Sequence, residues 1–221
     1  MAQPGTKPKG RVKIEWSSEF AYAIGLLTAD GCLSKDGLHI DLTSKDKAQI
    51  MLFKKCLGLT TKVSMKHSGS GNVAYHTQFG DVLFYRFLES IGLTPAKSKT
   101  ISSILVPGKY FLDFLRGYFD GDGSSYSYYD PTYKKSYRFY ISFTSASPKF
   151  FDWLRVEMDN ALGIKGYLGY NRNNPYVQLK YSKKEAVILA KGMYYSKDLP
   201  YLQRKYLKIM KSMHVIDATK K

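Results

Sequence analysis

The sequence predicts an α+β fold built from two pseudo-symmetric αββαββα subdomains, and three observations carry this prediction. The stretches AIGLLTADG (residues 23–31) and LRGYFDGDG (residues 115–123) are copies of one helix-like pattern. Each is followed by a strand-like stretch, HIDLTS at 39–44 and YISFTS at 140–145, with the alternation typical of a half-buried strand. The same order of helices and hairpins then follows in both halves. A duplication of this size indicates two related subdomains rather than a solenoid.

The first subdomain is predicted at residues 14–100. Ser17 or Ser18 is expected to cap its motif helix, and residues 35–37 (Lys-Asp-Gly) are expected to turn the first hairpin. The remaining elements are, in order, a helix at about 45–57 that ends at Gly58, a second hairpin at 63–79 with its loop at 67–72, and a helix at about 82–91 that ends at Gly92.

The second subdomain is predicted at residues 109–221, after a linker at 101–108 that places Pro107 in the first turn of the second motif helix. Residues 1–13 are basic and contain Pro and Gly, which predicts a flexible tail. The remaining elements are, in order, a long hairpin through 124–140, a strand at 138–145, a helix that ends at Gly163, strands at 166–172 and 176–181, and helices at about 183–192 and 201–213.

The charge balance favours a polyanionic partner, because 34 Lys and Arg against 18 Asp and Glu give a net charge of +16. Nucleic acid is favoured over a membrane surface, since the sequence has no transmembrane-length apolar run, signal-peptide pattern or conspicuous basic amphipathic helix. Cys32 and Cys56 are predicted to be reduced packing residues of an intracellular protein. The four His residues lack metal-ligand spacing, which argues against a zinc site.

Each motif helix ends in an acidic residue followed by glycine. A helix C-terminus carries partial negative charge, so an Asp there is disfavoured unless a cation lies beside it. Small residues four apart, Gly25 with Ala29 and Gly117 with Gly121, would let two helices approach closely, by analogy with membrane helix pairs. Helices packed this way would bring Asp30 and Asp122 together around a cation. The alternative is two ordinary core helices that end at glycine, and the second Asp-Gly at the same offset disfavours it.

Both motifs resemble the signature of the LAGLIDADG homing endonucleases, in the single-chain form with two motifs. The metal-binding acid of that family is the eighth motif residue, which falls on Asp30 and Asp122. The sixth position, often acidic in the family, is Asp120 in the second copy and Thr28 in the first. The resemblance implies a monomer whose antiparallel sheets form a DNA-binding saddle. It also implies two or three shared Mg²⁺ ions, replaceable by Mn²⁺, with the carbonyls of Ala29 and Gly121 in the metal shell.

The resemblance further implies a basic residue near each acid, after the second hairpin of each half. The stretches at 95–99 and 202–205 occupy these places. We expect Lys97 and Lys205 to fill the role, with Lys99 and Arg204 as alternatives. Ser44 and Ser145 match the family's polar position at the end of the second strand and are expected to hold water in the active site. Without the resemblance, any one of these lysines would be interpreted as solvated surface.

Alternation along the strands separates an apolar face from an outward face rich in Tyr, Gln, Ser, Thr, Lys and Arg, a composition suited to phosphate and base-edge contacts. For any single residue, a solvated sheet face is the competing interpretation. The expected DNA contacts are Lys35, His39, Asp41, Thr43, Lys66, His76, Gln78, Tyr126, Tyr128, Lys134, Lys135, Arg138, Tyr140, Ser142, Thr144, Tyr170, Arg172, Gln178 and Lys180.

The predicted function is a Mg²⁺-dependent homing endonuclease that hydrolyses both strands of a long DNA target. The target is expected to be asymmetric because the two halves have different outward residues. An intron RNA maturase on the same fold is the alternative, disfavoured because both motif acids are intact. A DNA-binding regulator is a third hypothesis; it would normally carry an added helix-turn-helix domain, for which we expect no room.

Overall fold

The computed structural model describes residues 10–67, 73–170 and 176–219 of the 221-residue chain. Its first half consists, in order, of α1 (Ser18–Asp30), β1 (Gly31–Leu33), β2 (His39–Ser44), α2 (Lys47–Cys56), β3 (Ser64–His67), β4 (Val73–Gly80) and α3 (Val82–Ser90). The second half consists of α4 (Phe111–Asp122), β5 (Gly123–Tyr129), β6 (Tyr137–Ser145), α5 (Pro148–Leu162), β7 (Tyr167–Tyr170), β8 (Val177–Ser182), α6 (Lys183–Met193) and α7 (Gln203–Ala218).

Each half contains a four-stranded antiparallel sheet, with strand orders β1-β2-β4-β3 and β5-β6-β8-β7. The two orders are equivalent under the repeat, so the predicted α+β fold with two related halves is confirmed. Helix α7 follows the repeated elements and has no counterpart among the described residues of the first half. Within the described ranges, no helix has the length and apolar character needed to cross a membrane.

Local signals begin and end the helices where the sequence suggests. The Ser17 hydroxyl accepts a hydrogen bond from the Phe20 amide at 3.1 Å and thereby caps α1. Asp46 caps α2 in the same way through the Ala48 amide, at 3.0 Å. Gly58 and Gly163 follow α2 and α5 with φ of 65° and 64°, the left-handed conformation that ends helices at low cost only for glycine.

Helices α1 and α4 pack against each other through their backbones. A Cβ added to Gly25 would lie 2.1 Å from the Phe114 carbonyl oxygen, and one added to Gly117 would lie 2.0 Å from the Tyr22 carbonyl oxygen. No side chain larger than hydrogen fits at either place without moving the partner helix. The close approach predicted from the small-residue spacing is therefore confirmed, and both helices end at the same side of the pair.

The sheets cover this helix pair with their apolar faces and leave the other faces polar. On β6, Tyr137, Phe139, Ile141 and Phe143 are all buried. In both sheets, the residues that alternate with the apolar ones point outward and pair across the sheet with other polar residues. Examples are Asp41 opposite Gln78, Thr43 opposite His76, Tyr126 opposite Tyr140, and Ser142 opposite Lys180.

Two predicted boundaries differ from the structure. Val12 is buried, and the amides of Arg11 and Val12 both donate to the Asp81 carboxylate, at 2.5 and 2.9 Å. The flexible tail predicted for 1–13 is therefore wrong at its C-terminal end, and residues 1–9 lie outside the described part of the chain. Helix α7 extends five residues beyond the predicted end at 213, to Ala218.

The linker predicted at 101–108 is packed against both halves. The Leu105 amide donates to the Ile91 carbonyl at 2.8 Å, and the Ser147 hydroxyl donates to the Ile101 carbonyl at 2.5 Å. Pro107 precedes a short 3₁₀ turn, Gly108–Tyr110, which leads into α4. The linker therefore contacts both halves.

Candidate active site

The two motif acids occupy the adjoining ends of α1 and α4. A Cβ added to Gly121 would lie 2.2 Å from the Ala29 Cβ and 3.1 Å from Asp30 Oδ2, so the ends of the helices are in contact just before Asp122. Burial, followed by the nearby Asp30 charge, raises the pKa of Asp122 to about 6. Burial also raises the pKa of Asp30. The contact between the helix ends brings the two carboxylates near each other, as expected, and a cation between them would relieve the repulsion that Asp122 experiences from Asp30.

The glycine after each acid is required by crowding. Gly31 and Gly123 have extended backbones, with φ of −79° and −85°, so neither needs the left-handed region. A Cβ on Gly31 would lie 2.6 Å from the Leu27 carbonyl oxygen, and one on Gly123 would lie 2.2 Å from the Phe119 ring. The chain therefore turns sharply from each helix into the first strand of its sheet, which leaves the acid at the corner.

Lys97 and Lys205 both bind the carbonyl of the glycine that follows an acid. Lys97 is 7% exposed, and its Nζ donates to the Gly31 carbonyl at 2.5 Å. Lys205 Nζ donates to the carbonyls of Phe119, Gly121 and Gly123 at 2.7, 3.0 and 2.7 Å. Because these carbonyls form the negative ends of the motif helices, an amine is well placed there. Burial lowers the pKa of both lysines, that of Lys205 to about 8.

The alternative basic residues occupy different surroundings. Lys99 is exposed at the rim of a cavity beside Lys97. Arg204 forms an ion pair with Asp46, with 2.9 Å between Nε and Oδ2. Ala96, just before Lys97, is in the left-handed region with φ of 56°, the one positive φ of a non-glycine among the described residues. Such backbone strain is often found at functional sites.

A cavity beside the acids combines groups from both halves of the molecule. Its lining includes Lys97 from the first half together with Asp122 and Ser145 from the second. Phe150 and Tyr118 form part of its apolar wall, with ring centroids 5.1 Å apart. The second acid thus faces a lysine from the opposite half of the chain.

Gln49, which sequence analysis missed, is a further polar residue of the site. It is 2% exposed, and its amide nitrogen donates to Asp30 Oδ2 at 3.1 Å and to the Asp120 carbonyl at 3.4 Å. Ser44 orients it, because the Ser44 hydroxyl donates to Gln49 Oε1 at 2.7 Å. The equivalent position of the second half is Phe150. The sequence did contain a signal for this residue, because one half has a polar Gln where the other half has an aromatic Phe at the same helix position.

The two predicted polar serines have matched backbone roles. Ser44 Oγ accepts from the Asp46 amide at 3.0 Å, and Ser145 Oγ accepts from the Ser147 amide at 3.1 Å. Ser44 is engaged by Gln49 as well, whereas Ser145 lines the cavity beside Asp122. The role expected for both, holding water, stays a prediction.

The carboxylate and carbonyl oxygens at the helix ends are suitable ligands for a hard divalent cation. Two carboxylates and the carbonyls before them are the ligand type that Mg²⁺ prefers, and Mg²⁺ commonly uses one or two carboxylates plus substrate phosphates. Among the described residues, no group of three or more His, Cys, Asp or Glu side chains could hold a metal by itself. The Gly121 carbonyl, expected in the metal shell, accepts a hydrogen bond from Lys205.

On the first sheet, the predicted DNA-facing residues form a hydrogen-bonded cluster around Asp41. Its Oδ2 lies 3.2 Å from Lys66 Nζ and 3.0 Å from His76 Nδ1, and its Oδ1 accepts from the Thr43 hydroxyl at 2.8 Å. His39 lies beyond this cluster and contacts Asp36 in the hairpin turn, at 2.6 Å. Gln78 and Lys35 are exposed.

On the second sheet, stacked tyrosines dominate the outward face. Tyr126 and Tyr140 have ring centroids 4.9 Å apart, and Tyr128 stacks beside both. Lys180 Nζ lies 4.6 Å from the centre of the Tyr140 ring. Arg138 is held by Asp130 through two bonds, at 3.0 and 2.9 Å. Lys134, Lys135, Thr144 and Gln178 are exposed.

Two predicted DNA contacts differ in placement from the others. Ser142 points outward but is only 1% exposed, because Ser124 bonds it at 2.9 Å and Lys180 lies beside it. Tyr170 pairs with the buried Val177 and therefore lies on the opposite side of the sheet from Gln178 and Lys180. Tyr167, which pairs with Lys180, has the outward position instead and is 71% exposed. Arg172 lies outside the described residues.

Comparison with known proteins places this geometry in context. Residues 110–192 match the family model of a LAGLIDADG-like domain. The fold is similar to that of the LAGLIDADG homing endonuclease I-GzeII in complex with its DNA target, with TM-score 0.62, 12% identity and coverage of 93% of this chain and 91% of that chain. It is similar to I-LtrWI, a LAGLIDADG homing endonuclease bound to target DNA, with TM-score 0.61, 14% identity and coverage of 92% and 91%.

The fold is also similar to full-length DUF199/WhiA from Thermatoga maritima, with TM-score 0.55, 14% identity and coverage of 94% of this chain and 69% of that chain. No curated protein sequence matches the chain. The structural similarity shows the fold, and the family model matches the region that contains the second motif. Residues 110–192 are therefore similar to a LAGLIDADG-like domain, and the whole chain has the fold of the single-chain LAGLIDADG homing endonucleases.

Proposed function

We propose that the protein is a divalent-metal-dependent endonuclease that hydrolyses both strands of a DNA duplex at a specific site. One observation carries this proposal: two carboxylates, Asp30 and Asp122, meet at the ends of packed helices, with the amines of Lys97 and Lys205 on the adjoining carbonyls. This arrangement places opposite charges where a phosphodiester could lie between them.

The chain's own residues have distinct roles in this mechanism. Asp30 and Asp122 would hold the cation, which when bound supplies the positive charge that activates water and stabilises the leaving oxygen. Gln49 orients the Asp30 carboxylate through the bond to its Oδ2. Lys97 and Lys205 place fixed positive charge at the scissile phosphates, where negative charge increases during reaction. Ser145 offers a hydroxyl in the cavity beside Asp122 for a bound water.

We infer that double-stranded DNA lies along the outward faces of the two sheets. The net charge of +16 and the polar outward residues support a polyanionic partner. The solved proteins I-GzeII and I-LtrWI, which share the fold, are described as bound to DNA targets. The first sheet presents an Asp, His and Lys cluster, and the second presents stacked tyrosines, so the preferred site is asymmetric.

The test uses Asp30→Asn and Asp122→Asn on a target obtained by selecting bound duplexes from a random DNA pool. Each substitution should lower double-strand cleavage by on the order of 10³-fold, as expected for loss of one preorganised electrostatic group. Binding of the selected duplex in Ca²⁺ buffer should stay within a few-fold of the unmodified protein, because neither acid lies on a sheet face. Gel-shift and cleavage assays measure the two quantities.

Asp36→Asn is a matched control, since Asp36 lies in an exposed turn away from the helix ends. This variant should cleave DNA at the same rate as the unmodified protein. Full cutting by either motif variant would contradict the assignment. An unmodified protein that binds structured RNA in preference to every selected duplex, and cuts none, would favour the alternative of an intron RNA maturase.

A further inference from the structure

Asp120 is a buried acid that the proposed cleavage mechanism does not use. It is 1% exposed, and its Oδ2 accepts hydrogen bonds from the Tyr22 hydroxyl and the Leu202 amide, both at 2.7 Å. Its Oδ1 is buried without a partner among the described residues. Burying a carboxylate oxygen without a hydrogen-bond partner lowers the stability of the fold, so we expect Asp120 to perform a specific role.

The Leu202 bond connects Asp120 to the start of helix α7. Leu202 is the residue that precedes α7, and Lys205 lies in the first turn of that helix. From there the Lys205 amine reaches the carbonyls of Phe119 and Gly121 on α4 and of Gly123 at the start of β5. A shift of the α7 end by 1 Å or so would break three bonds whose lengths are 2.7 to 3.0 Å.

A second side chain of α4 holds the segment that leads into α7. Arg116 is fully buried and donates to the Met193 and Pro200 carbonyls, both at 2.8 Å. Its remaining bond, to Asp113 at 2.7 Å, pairs the buried charge. Arg116 therefore fixes the path of residues 193–200, and Asp120 fixes the last point before the helix begins.

Among the described residues of the first half there is no such tether. Thr28 stands at the position equivalent to Asp120, and its hydroxyl donates to the Ile24 carbonyl of its own helix at 2.8 Å. Lys97 comes from a short 3₁₀ turn, Lys97–Lys99, and not from a separate long helix. The arrangement thus serves one of the two proposed sites only.

We propose that Asp120 is a positioning residue for Lys205: it holds the first turn of α7 on motif helix α4, so that the Lys205 amine stays on the carbonyls beside Asp122. It touches no reacting atom. The consequence for cleavage, which rests on the proposed function, is that one strand depends on Asp120 more than the other does.

The test compares Asp120→Ala with Asp120→Asn, which keeps an oxygen that can accept from Leu202. The first readout needs no DNA: brief acylation with a water-soluble amine reagent, followed by peptide mass spectrometry. In Asp120→Ala, modification of Lys205 should rise about tenfold, because a hydrogen bond to a charged group has about that worth. Modification of Lys97, the matched buried lysine of the first half, should not change, and Asp120→Asn should stay within about threefold of the unmodified protein.

The second readout is the rate of nicking of each strand on an end-labelled duplex. Asp120→Ala should slow nicking of one strand about tenfold more than nicking of the other. In Asp120→Asn the two strands should be nicked at nearly the same relative rates as in the unmodified protein. Uniform loss on both strands, or equal labelling of Lys97 and Lys205, would show general loosening and overturn the proposal. Identical results for Asp120→Asn and Asp120→Ala would also overturn it, because the charge and not the tether would then be responsible.

Tyr22→Phe distinguishes the two hydrogen bonds that Asp120 accepts. It removes the bond from the Tyr22 hydroxyl, in the core, and leaves the bond from the Leu202 amide, which is the proposed tether. Labelling of Lys205 in Tyr22→Phe should rise less than in Asp120→Ala, and an equal rise would contradict the tether. If Asp120→Ala does not fold, hydrogen exchange of the unmodified protein decides. The Leu202 amide should exchange as slowly as core amides of α4, and fast exchange would refute the proposal. A protein that cuts no DNA but shows the labelling pattern would refute only the cleavage function.

Discussion

At the scale of single residues, the two motif acids have different surroundings. Asp30 accepts a hydrogen bond from Gln49, whereas Asp122 makes no side-chain hydrogen bond with any described residue. Phe150 occupies the position at which Gln49 would be repeated. Without a donor beside it, Asp122 is stabilised in its charged form only by more distant lysines, and its pKa is raised to about 6. A bound cation or DNA would change this balance.

The raised pKa of Asp122 predicts a pH-dependent gain in stability for Asp122→Asn. The folded pKa of about 6 exceeds the ordinary value of 3.8, so the native state binds more protons than the unfolded state between these pH values. Stability therefore falls as pH rises through this window. The change of about two pH units corresponds to roughly 3 kcal/mol. Because the Asp122 side chain is also partly open to solvent, screening reduces this to about 1 kcal/mol.

Thermal melts in EDTA without DNA measure this effect. Asp122→Asn should raise the Tm by about 2–4 °C at pH 7.5, and the difference should vanish near pH 4. Asp36→Asn is a control of opposite sign, because hydrogen bonds from His39 lower the pKa of Asp36 to about 2. If the Asp122→Asn protein is no more stable than the unmodified protein at pH 7.5, ionisation of the Asp122 carboxylate does not destabilise the fold.

At the scale of elements, the contact between α1 and α4 is the part of the fold least tolerant of change. Gly25 and Gly117 each face the backbone of the partner helix, which cannot rotate away as a side chain could. The same contact sets the spacing of Asp30 and Asp122. Stability and geometry of the site therefore depend on two positions that carry no functional group.

We expect Gly25→Ala and Gly117→Ala to destabilise the protein by about 2–4 kcal/mol each, at or above the usual cost of overpacking, because the clash is with backbone. Such a change lowers the Tm by roughly 2–4 °C for each kcal/mol. Gly108→Ala is the matched control, since a Cβ there meets nothing within 4 Å, and it should lie within about 0.5 kcal/mol of the unmodified protein. Unchanged melts for both motif variants would mean that the helices do not touch at these glycines.

At the scale of the whole molecule, charge and sheet orientation together predict how DNA binding depends on salt. If the proposed surface contacts several phosphates, a plot of log Kd against log salt concentration should be steep. Its slope should be about 0.9 for each phosphate that the protein neutralises. Lys180 lies on the outward face, with its Nζ 4.6 Å from the centre of the Tyr140 ring and 5.7 Å from that of Tyr126. Lys191 lies on α6, which packs against the other face of the same sheet, and is exposed.

We expect Lys180→Ala to weaken binding and Lys191→Ala to leave it within twofold. If Lys180 contacts phosphate, the salt slope should flatten by about one for every sequence tested. If it contacts a base, the loss should be about 1–3 kcal/mol on the preferred duplex alone. Titrations at several salt concentrations distinguish these outcomes. A stronger effect of Lys191→Ala than of Lys180→Ala would place DNA on the helix side of the sheets.

The sequence by itself determined the repeat, the helix pair and the pairing of Asp30 with Asp122. These features follow from local patterns: glycine and alanine four apart on one helix face, Asp-Gly at a constant offset, and strand alternation. The copies also specified equivalent strands and helix ends. Helix ends such as Gly58 and Gly163 were predictable because the signal and the structure lie within a few residues.

Only the tertiary structure decided which polar groups surround the acids. Gln49 reaches Asp30 across 19 residues, and the amines of Lys97 and Lys205 reach their glycine carbonyls across 66 and 82 residues. The neighbouring Lys99 and Arg204 have the same chemistry in the sequence, but Lys99 is exposed at the cavity rim and Arg204 pairs with Asp46, and no local pattern distinguishes them.

Strand register and the tether of α7 were likewise decided in three dimensions. Side chains alternate with a period of two, so the register of β7 on β8 places Tyr167 outward and Tyr170 on the opposite side. Asp120 resembles its neighbour Asp122 in the sequence, yet burial and the Leu202 amide separate their environments. A contact between distant segments depends on how whole elements pack, and this packing is a property of the assembled core rather than of any short stretch.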